Sequence, residues 1–195
     1  MIIGITGGTG CGKSTLLSEL EKLGALILDC DKIYHKLLET DEALLTAIGT
    51  RFPGTVEDGV LQRKKLGAIV FSDKNALRDL DKITHSAVKN QVLRRLELHP
   101  KLAAIDAIAL HESGLAEICD VTVAVTAPMD VRLRRLMERD CISAEYAQSR
   151  IAAQPDEAWF RENCDYLLEN TGTKEEFQTK CLAFFKELGI MEIMK

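Results

Sequence analysis

Four glycines fall within the six residues Gly7 to Gly12, and Lys13, Ser14 and Thr15 follow at once. The spacing Gly7, four residues, Gly12-Lys13-Ser14 satisfies every fixed position of the G-x-x-x-x-G-K-[ST] pattern. Residues without side chains let successive backbone N–H groups curl around a phosphate, and a helix starting behind them adds its positive dipole end. Gly7, Gly10, Cys11, Gly12, Lys13, Ser14 and Thr15 are therefore the candidate set for binding ATP. Lys13 reaches the β- and γ-phosphates as a catalytic cation, and Ser14 holds Mg2+ together with the nucleotide. Cys11 fills an unspecified slot and reads as a small residue, not a nucleophile. A dinucleotide fingerprint would need glycine where Lys13 stands, so that alternative fails.

Other residue groupings could serve the same chemistry. Ligands of open α/β sheets sit at the carboxyl ends of strands, and the second apolar run ends in "LDCDKIYHKLL". Asp31 is placed there to accept a proton from an attacking hydroxyl, with Asp29 supporting it or the metal; either could instead cap the following helix. Arg132, Arg135 and Arg139 share one helix face by their i, i+3, i+7 spacing. Such a cluster either grips phosphate or forms a solvated face paired with Glu138 and Asp140, and Arg132 is assigned to the solvated face. Asn170 and Gly172 in "ENTGT" stand where an adenine would lie, or form an ordinary helix-capping turn. Glu112 either helps bind magnesium through water or is a surface carboxylate. The N-K-x-D element that reads guanine is missing, and "SDKN" at Ser72 to Asn75 only scrambles it.

The elements that must hold these groups follow from hydrophobic pattern. Short apolar runs at "MIIGIT", "ALILD", "KLAAIDAIAL", "VTVAVTAP" and "DYLLEN" read as strands buried on both faces, and helical periodicity separates them. Leu16, Leu17, Leu20 and Leu23 predict a helix stopped by Gly24, completing a βαβ unit. The fold expected is α/β, a parallel five-stranded sheet flanked by helices in a P-loop NTPase fold. From Asp31 to Pro100 no convincing strand is found, only helical periodicity such as Leu77, Leu80 and Ile83, which predicts a helical substrate-binding insertion. A second helical excursion runs from Asp130 to about Pro155 with Ser143 as an N-cap, and a last helix starts at Thr173, paired with Glu176 at capping-box spacing, and ends at Gly189. An insertion after the second strand and an Arg-rich helix after the fourth is the layout of kinases that close a lid over two substrates.

Composition narrows the partners. The chain has 195 residues, 46% hydrophobic and 28% charged, with 25 Lys and Arg against 30 Asp and Glu for a net charge of −5. A mildly acidic chain lacks the general attraction to polyanions that nonspecific nucleic-acid binding needs, so the partners expected are small molecules, not nucleic acid. Six scattered cysteines without a CxxC pair argue against a structural metal and for reduced thiols in a cytoplasmic setting. No apolar run approaches the ~20 residues needed to span a bilayer. Oligomeric state is not legible.

The chain resembles the dephospho-coenzyme A kinase family along nearly its whole length. Asp29-Cys30-Asp31 followed by "KIYHKLL" is similar to a strand-end D-A-D and its His-bearing helix. Arg63, Leu66, Val70 and Phe71 match R-x-x-L…V-F, and Leu80, Ile83 and His85 match L-x-x-I-x-H, with Ser86 in place of the following proline. "IALHESGL" matches "LLFESGL" apart from residues 108 to 111, and "VTVAVTAPMDVRLRRLMERD", "RIAAQ" and "CDYLLENTGT" match nearly throughout. The resemblance implies transfer of the ATP γ-phosphoryl to the ribose 3′-hydroxyl of dephospho-coenzyme A, with magnesium, giving coenzyme A and ADP. It implies a core of residues 1–30, 101–133 and 156–195, a helical coenzyme A-binding subdomain at about 31–100, and a lid at about 134–155. Asp31 would be the general base, Arg139 of the R-D motif a catalytic phosphate ligand, and Arg63 and His85 acceptor contacts; His85 could equally pack between helices. Alternatives are another P-loop kinase for a nucleoside monophosphate or small metabolite, and a nucleotide-dependent binding switch.

Overall fold

A computed structural model of the chain describes residues 1–193. In chain order the elements are β1 (Ile2–Thr6), α1 (Lys13–Lys22), β2 (Leu26–Asp29), α2 (Cys30–Thr40), α3 (Glu42–Arg51), β3 (Val56–Glu57), β4 (Val60–Leu61), α4 (Arg63–Val70) and α5 (Lys74–Leu96). They continue with β5 (Ala103–Asp106), β6 (Val121–Thr126), α6 (Met129–Asp140), α7 (Ala144–Ala152), α8 (Glu157–Asn163), β7 (Tyr166–Glu169), α9 (Lys174–Glu187) and α10 (Ile190–Ile193). The chain forms two compact units, one of residues Met1–Leu28 with His99–Lys195, the other of Asp29–Leu98.

In the first unit the five expected apolar runs form one sheet in the order β2-β5-β1-β6-β7. The central β1 lies parallel to both β5 and β6. The two faces are covered by helices, and one core joins Ile3, Ile5 and Val123 of the strands to Leu16 and Leu20 of α1 and Phe177 and Phe185 of α9. Helix α1 stops where the leucine periodicity does. The Gly24 N–H donates to Glu21 O at 2.9 Å and the Ala25 N–H to Leu20 O at 3.1 Å, the paired bonds of a Schellman motif with Gly24 at φ 86°. Ser143 caps α7, and Thr173 and Glu176 form the full capping box on α9. Helices α6 and α7, joined through Cys141 at φ 51°, close on an apolar cluster of their own made by Leu136, Ala147 and Ile151.

In the second unit the 23-residue α5 is the spine, packed by α2, α3 and α4 and buried through Ala76, Val88 and Val92. The expectation of no strand between residues 31 and 100 is corrected. The antiparallel pair β3–β4 turns on Asp58 and Gly59, both with positive φ. "Asp-Gly" between alternating residues is a type I′ hairpin signal, but two-residue strands are too short to show periodicity. A second element escaped notice: α8 starts right after Pro155, capped by Asp156, whose carboxylate accepts from the Trp159 N–H at 2.9 Å. Phe185 is fully buried between α9 and the sheet, so Phe185→Ala should cost about 3–5 kcal/mol. Urea unfolding checks this through a lowered midpoint at unchanged slope.

Candidate active site

The loop between β1 and α1 is arranged around its carbonyls. Gly7 O accepts from Lys13 Nζ at 2.8 Å, Gly8 O from the Cys11 N–H at 3.2 Å, and Gly12 O from the Thr15 N–H at 3.0 Å. The other three are held from far along the chain: Thr9 O accepts from Arg132 Nε at 3.0 Å, Gly10 O from Arg135 Nη1 at 3.4 Å and Cys11 O from Asn170 Nδ2 at 2.9 Å. Every carbonyl from Gly7 to Gly12 is thus occupied by a donor of the protein. The N–H groups of Gly10, Gly12 and Ser14 have no acceptor among the described residues. A loop in this state offers donors to an anion at the start of a helix, as a phosphate cradle must.

Two glycines are fixed by close approach. A Cβ on Gly7, at φ 133°, would strike the Val125 carbonyl, and one on Gly8 would strike the Arg132 guanidinium. Arg132 therefore lies flat on the loop, and its assignment to a solvated face with Glu138 and Asp140 is corrected. Its Nη2 also donates to Gln154 Oε1 at 3.0 Å, and burial pushes its pKa below the usual arginine value. Arg139 is the arginine that meets Asp140, through two hydrogen bonds of 2.7 and 3.0 Å, while Arg150 donates to the same carboxylate at 2.6 Å. Those bonds, from Arg139 first and Arg150 second, bring the Asp140 pKa down to about 2.

Around the loop, Cys11 is 1% exposed, and burial raises its thiol pKa, which suits the reading as filler. Asn170 is buried; besides bonding Cys11 it accepts from Arg135 Nη2 at 3.3 Å, so its amide is engaged in holding the loop. Gly172 lies in the exposed turn before the capping box, where a Cβ would meet the Glu176 carboxylate. His111 contacts Cys164 Sγ at 3.4 Å and stands edge-on to Trp159, and Glu112 beside it is exposed. For a magnesium ion, Ser14 offers an exposed hydroxyl in the first turn of α1, and Asp106 ends β5 in register with Ile5 of β1. Hydroxyl and carboxylate are hard oxygen donors that fit magnesium. Among the described residues no group of three or more His, Cys, Asp or Glu could hold a metal ion alone.

The second unit holds the remaining candidates. Asp29 is the cap of α2: it accepts from the Lys32 N–H at 2.9 Å and pairs with Lys32 Nζ at 2.9 Å. Partial burial opposes its ionisation, but the Lys32 N–H and ammonium outweigh that and hold its pKa below the ordinary value. Asp31 is exposed in the first turn, and its carboxylate has no partner among the described residues. The two aspartates thus separate, one engaged as a cap and one available. Arg63 is exposed at the start of α4, and Tyr34 of α2 has its hydroxyl pKa raised, chiefly by burial, with the Arg63 charge opposing and the Asp81 charge adding to the shift. His85, one turn beyond Asp81, is half-buried.

Comparison with known proteins gives this geometry its context. The family model described as Dephospho-CoA kinase matches residues 1–176. The chain belongs to the dephospho-CoA kinase family. A dephospho-CoA kinase of Geobacillus kaustophilus is 34% identical over 198 residues, covering 98% of each chain. A crystal structure from Thermus thermophilus shares 34% identity with a TM-score of 0.80 over 96% of this chain and 97% of that one. The dephospho-CoA kinase of Campylobacter jejuni shares 27% identity with a TM-score of 0.70 over 96% of both. The family, the kinase class and the P-loop sheet expected from the sequence are borne out. No helix among the described residues is long and apolar enough to cross a membrane.

Gln154, Thr9 and Asp106 are site neighbours that sequence reasoning gave no role, and Arg135, read there only as part of an arginine face, bonds the loop at Gly10 O. The signals existed for two of them, since Gln154 closes the "RIAAQ" match and Asp106 ends a predicted strand beside the loop strand. Gly8→Ala should expel the Arg132 guanidinium, leaving Thr9 O without its donor and Gln154 Oε1 with the Thr9 N–H alone. With charged hydrogen bonds contributing about 1.5–3 kcal/mol, Mg-ATP affinity should fall about 10- to 100-fold while circular dichroism stays unchanged. Calorimetric titration measures it, and an affinity within twofold of wild type would show that Arg132 does not anchor the loop.

Proposed function

We propose that the chain transfers the γ-phosphoryl group of ATP to the 3′-hydroxyl of the ribose in dephospho-coenzyme A, giving coenzyme A and ADP. The observation that carries this reading is the family match over residues 1–176 joined to a loop whose carbonyls from Gly7 to Gly12 are all held, with N–H groups of Gly10, Gly12 and Ser14 that have no acceptor among the described residues. Lys13 would leave the Gly7 carbonyl to reach the β- and γ-phosphates. Ser14 and Asp106 would hold the magnesium ion, whose contribution is to neutralise charge on the transferring group. Arg139, now paired with Asp140, would turn to the phosphates when the α6–α7 lid closes, alongside the Arg132 and Arg135 already at the loop. Gly172 would lie near the adenine, with Asn170 acting through the loop it supports. The helical unit Asp29–Leu98 would bind the acceptor, with Arg63 on a phosphate of the substrate and His85 beside it. Nucleic acid has no role in this scheme.

Asp31 would be the general base. A ribose hydroxyl is a poor nucleophile at neutral pH, so the base orients it and takes its proton late. The free carboxylate of Asp31 supports that role over the engaged one of Asp29. A coupled ADP-release assay against dephospho-coenzyme A, nucleoside monophosphates and small hydroxylated metabolites tests the acceptor; dephospho-coenzyme A alone should give stoichiometric ADP. Asp31→Asn should lower kcat about 10²–10⁴-fold with Mg-ATP affinity nearly unchanged. Survival of kcat within a few-fold would place the base elsewhere, and a joint collapse of kcat and Mg-ATP affinity would make Asp31 a metal ligand.

A further inference from the structure

We infer that Gln154 is a positioning residue that fastens the α6–α7 helical pair to the phosphate loop, making the placement of that pair and the shape of the loop one variable. The inference rests on the P-loop kinase reading but not on the identity of the acceptor. Gln154 and Thr9 form a closed two-bond ring: the Thr9 N–H donates to Gln154 Oε1 at 2.8 Å and Gln154 Nε2 donates to Thr9 Oγ1 at 2.7 Å. Arg132 completes it, with Nε on Thr9 O and Nη2 on the same Gln154 oxygen. The N–H, carbonyl and hydroxyl of Thr9 are therefore all engaged by two side chains lying 123 and 145 residues away in sequence.

The two anchors come from opposite ends of the pair, Arg132 from the first turn of α6 and Gln154 from just beyond α7. The pair's apolar cluster is its own and separate from the sheet core, so polar bonds carry its registration on the loop, these and those of Arg135 to Gly10 O and Asn170 Oδ1. Gln154 is preset for the task. Its N–H donates to Ile151 O at 3.1 Å, closing the last turn, and Pro155 behind it restricts its backbone to extended conformations. A loop held at Thr9 pays its ordering entropy before the nucleotide arrives, and a loop released there would be binding-competent only part of the time, which weakens apparent affinity by that fraction.

The test is a double-mutant cycle on binding of a non-hydrolysable ATP analogue with magnesium, read by calorimetry. Gln154→Leu should weaken binding about 10- to 100-fold, since two or three hydrogen bonds are lost. Thr9→Val, which removes only the hydroxyl, should weaken it about 3- to 10-fold in the wild-type background and not at all beside Gln154→Leu. Thr9→Ser should restore wild-type affinity. Kinetically, KM for ATP should rise more than kcat falls, and the Thr9 amide should exchange at least about tenfold faster in Gln154→Leu. Additive effects of the two substitutions, or wild-type affinity in Gln154→Leu, would overturn the inference. Should Gln154→Leu fail to fold, Gln154→Met, uncharged and closer in shape, serves in its place: it removes the same hydrogen bonds, so a loss of about 10- to 100-fold is expected and wild-type affinity refutes the role. An enzyme that binds the analogue but leaves dephospho-coenzyme A unphosphorylated would fault the acceptor assignment and leave this cycle readable.

Discussion

A backbone that binds phosphate with its N–H groups must turn its carbonyls the other way, and each of those needs a donor. That constraint organises the whole first unit. Between Gly7 and Gly12 the donors are Lys13, the amides of Cys11 in the loop and Thr15 in α1, then Arg132, Arg135 and Asn170. Buried carbonyls left unsatisfied would each cost about 1–3 kcal/mol, so the side chains that satisfy them fix where α6 and the end of β7 must lie. The glycines are the other half of the same arrangement, since a side chain on Gly8 would occupy the place of the Arg132 guanidinium. The shape of the loop thus depends on donors drawn from elements far along the chain.

Charge follows the same division. The chain is net acidic at −5, yet Lys13, Arg132 and Arg135 converge on one loop together with the positive end of α1. Anion binding here is local, built against the average of the surface. The arginines farther along α6 and α7 are neutralised by Asp140, which takes bonds from both Arg139 and Arg150. Asp31, in the other compact unit, shows the opposite case, an exposed carboxylate without a partner among the described residues, beside a neighbouring aspartate taken up as a helix cap.

What the sequence discloses is what short-range physics decides. The phosphate loop, the five strands, the Schellman stop at Gly24 and the capping box at Thr173 all depend on residues within one or two turns of each other. Even there the shortest elements escape: two-residue strands around Asp58-Gly59 have no periodicity to read, and α8 hides behind Pro155, which looks like an ending. The assignment of Arg132 to a solvated face fails because helical spacing says which residues share a face and not what that face meets. The partners of Arg132, Arg135 and Asn170 are more than a hundred residues away or in another element, and only the closed fold brings them together. The separation of Asp29 from Asp31 turned on one N–H of Lys32.

The strand that carries the phosphate loop is made well before either strand that pairs with it. Its neighbours in the sheet are β5 and β6, which begin about one hundred residues later at Ala103 and Val121, and the whole helical unit Asp29–Leu98 lies between. During synthesis the helical unit, continuous in sequence and built around α5, can gather its local contacts while "MIIGIT" waits with both edges open. Late, distant pairing of this kind slows folding and exposes apolar edges to misassociation. The chain keeps that exposure short: β1 has five residues and is followed at once by a glycine loop that cannot extend it as a strand.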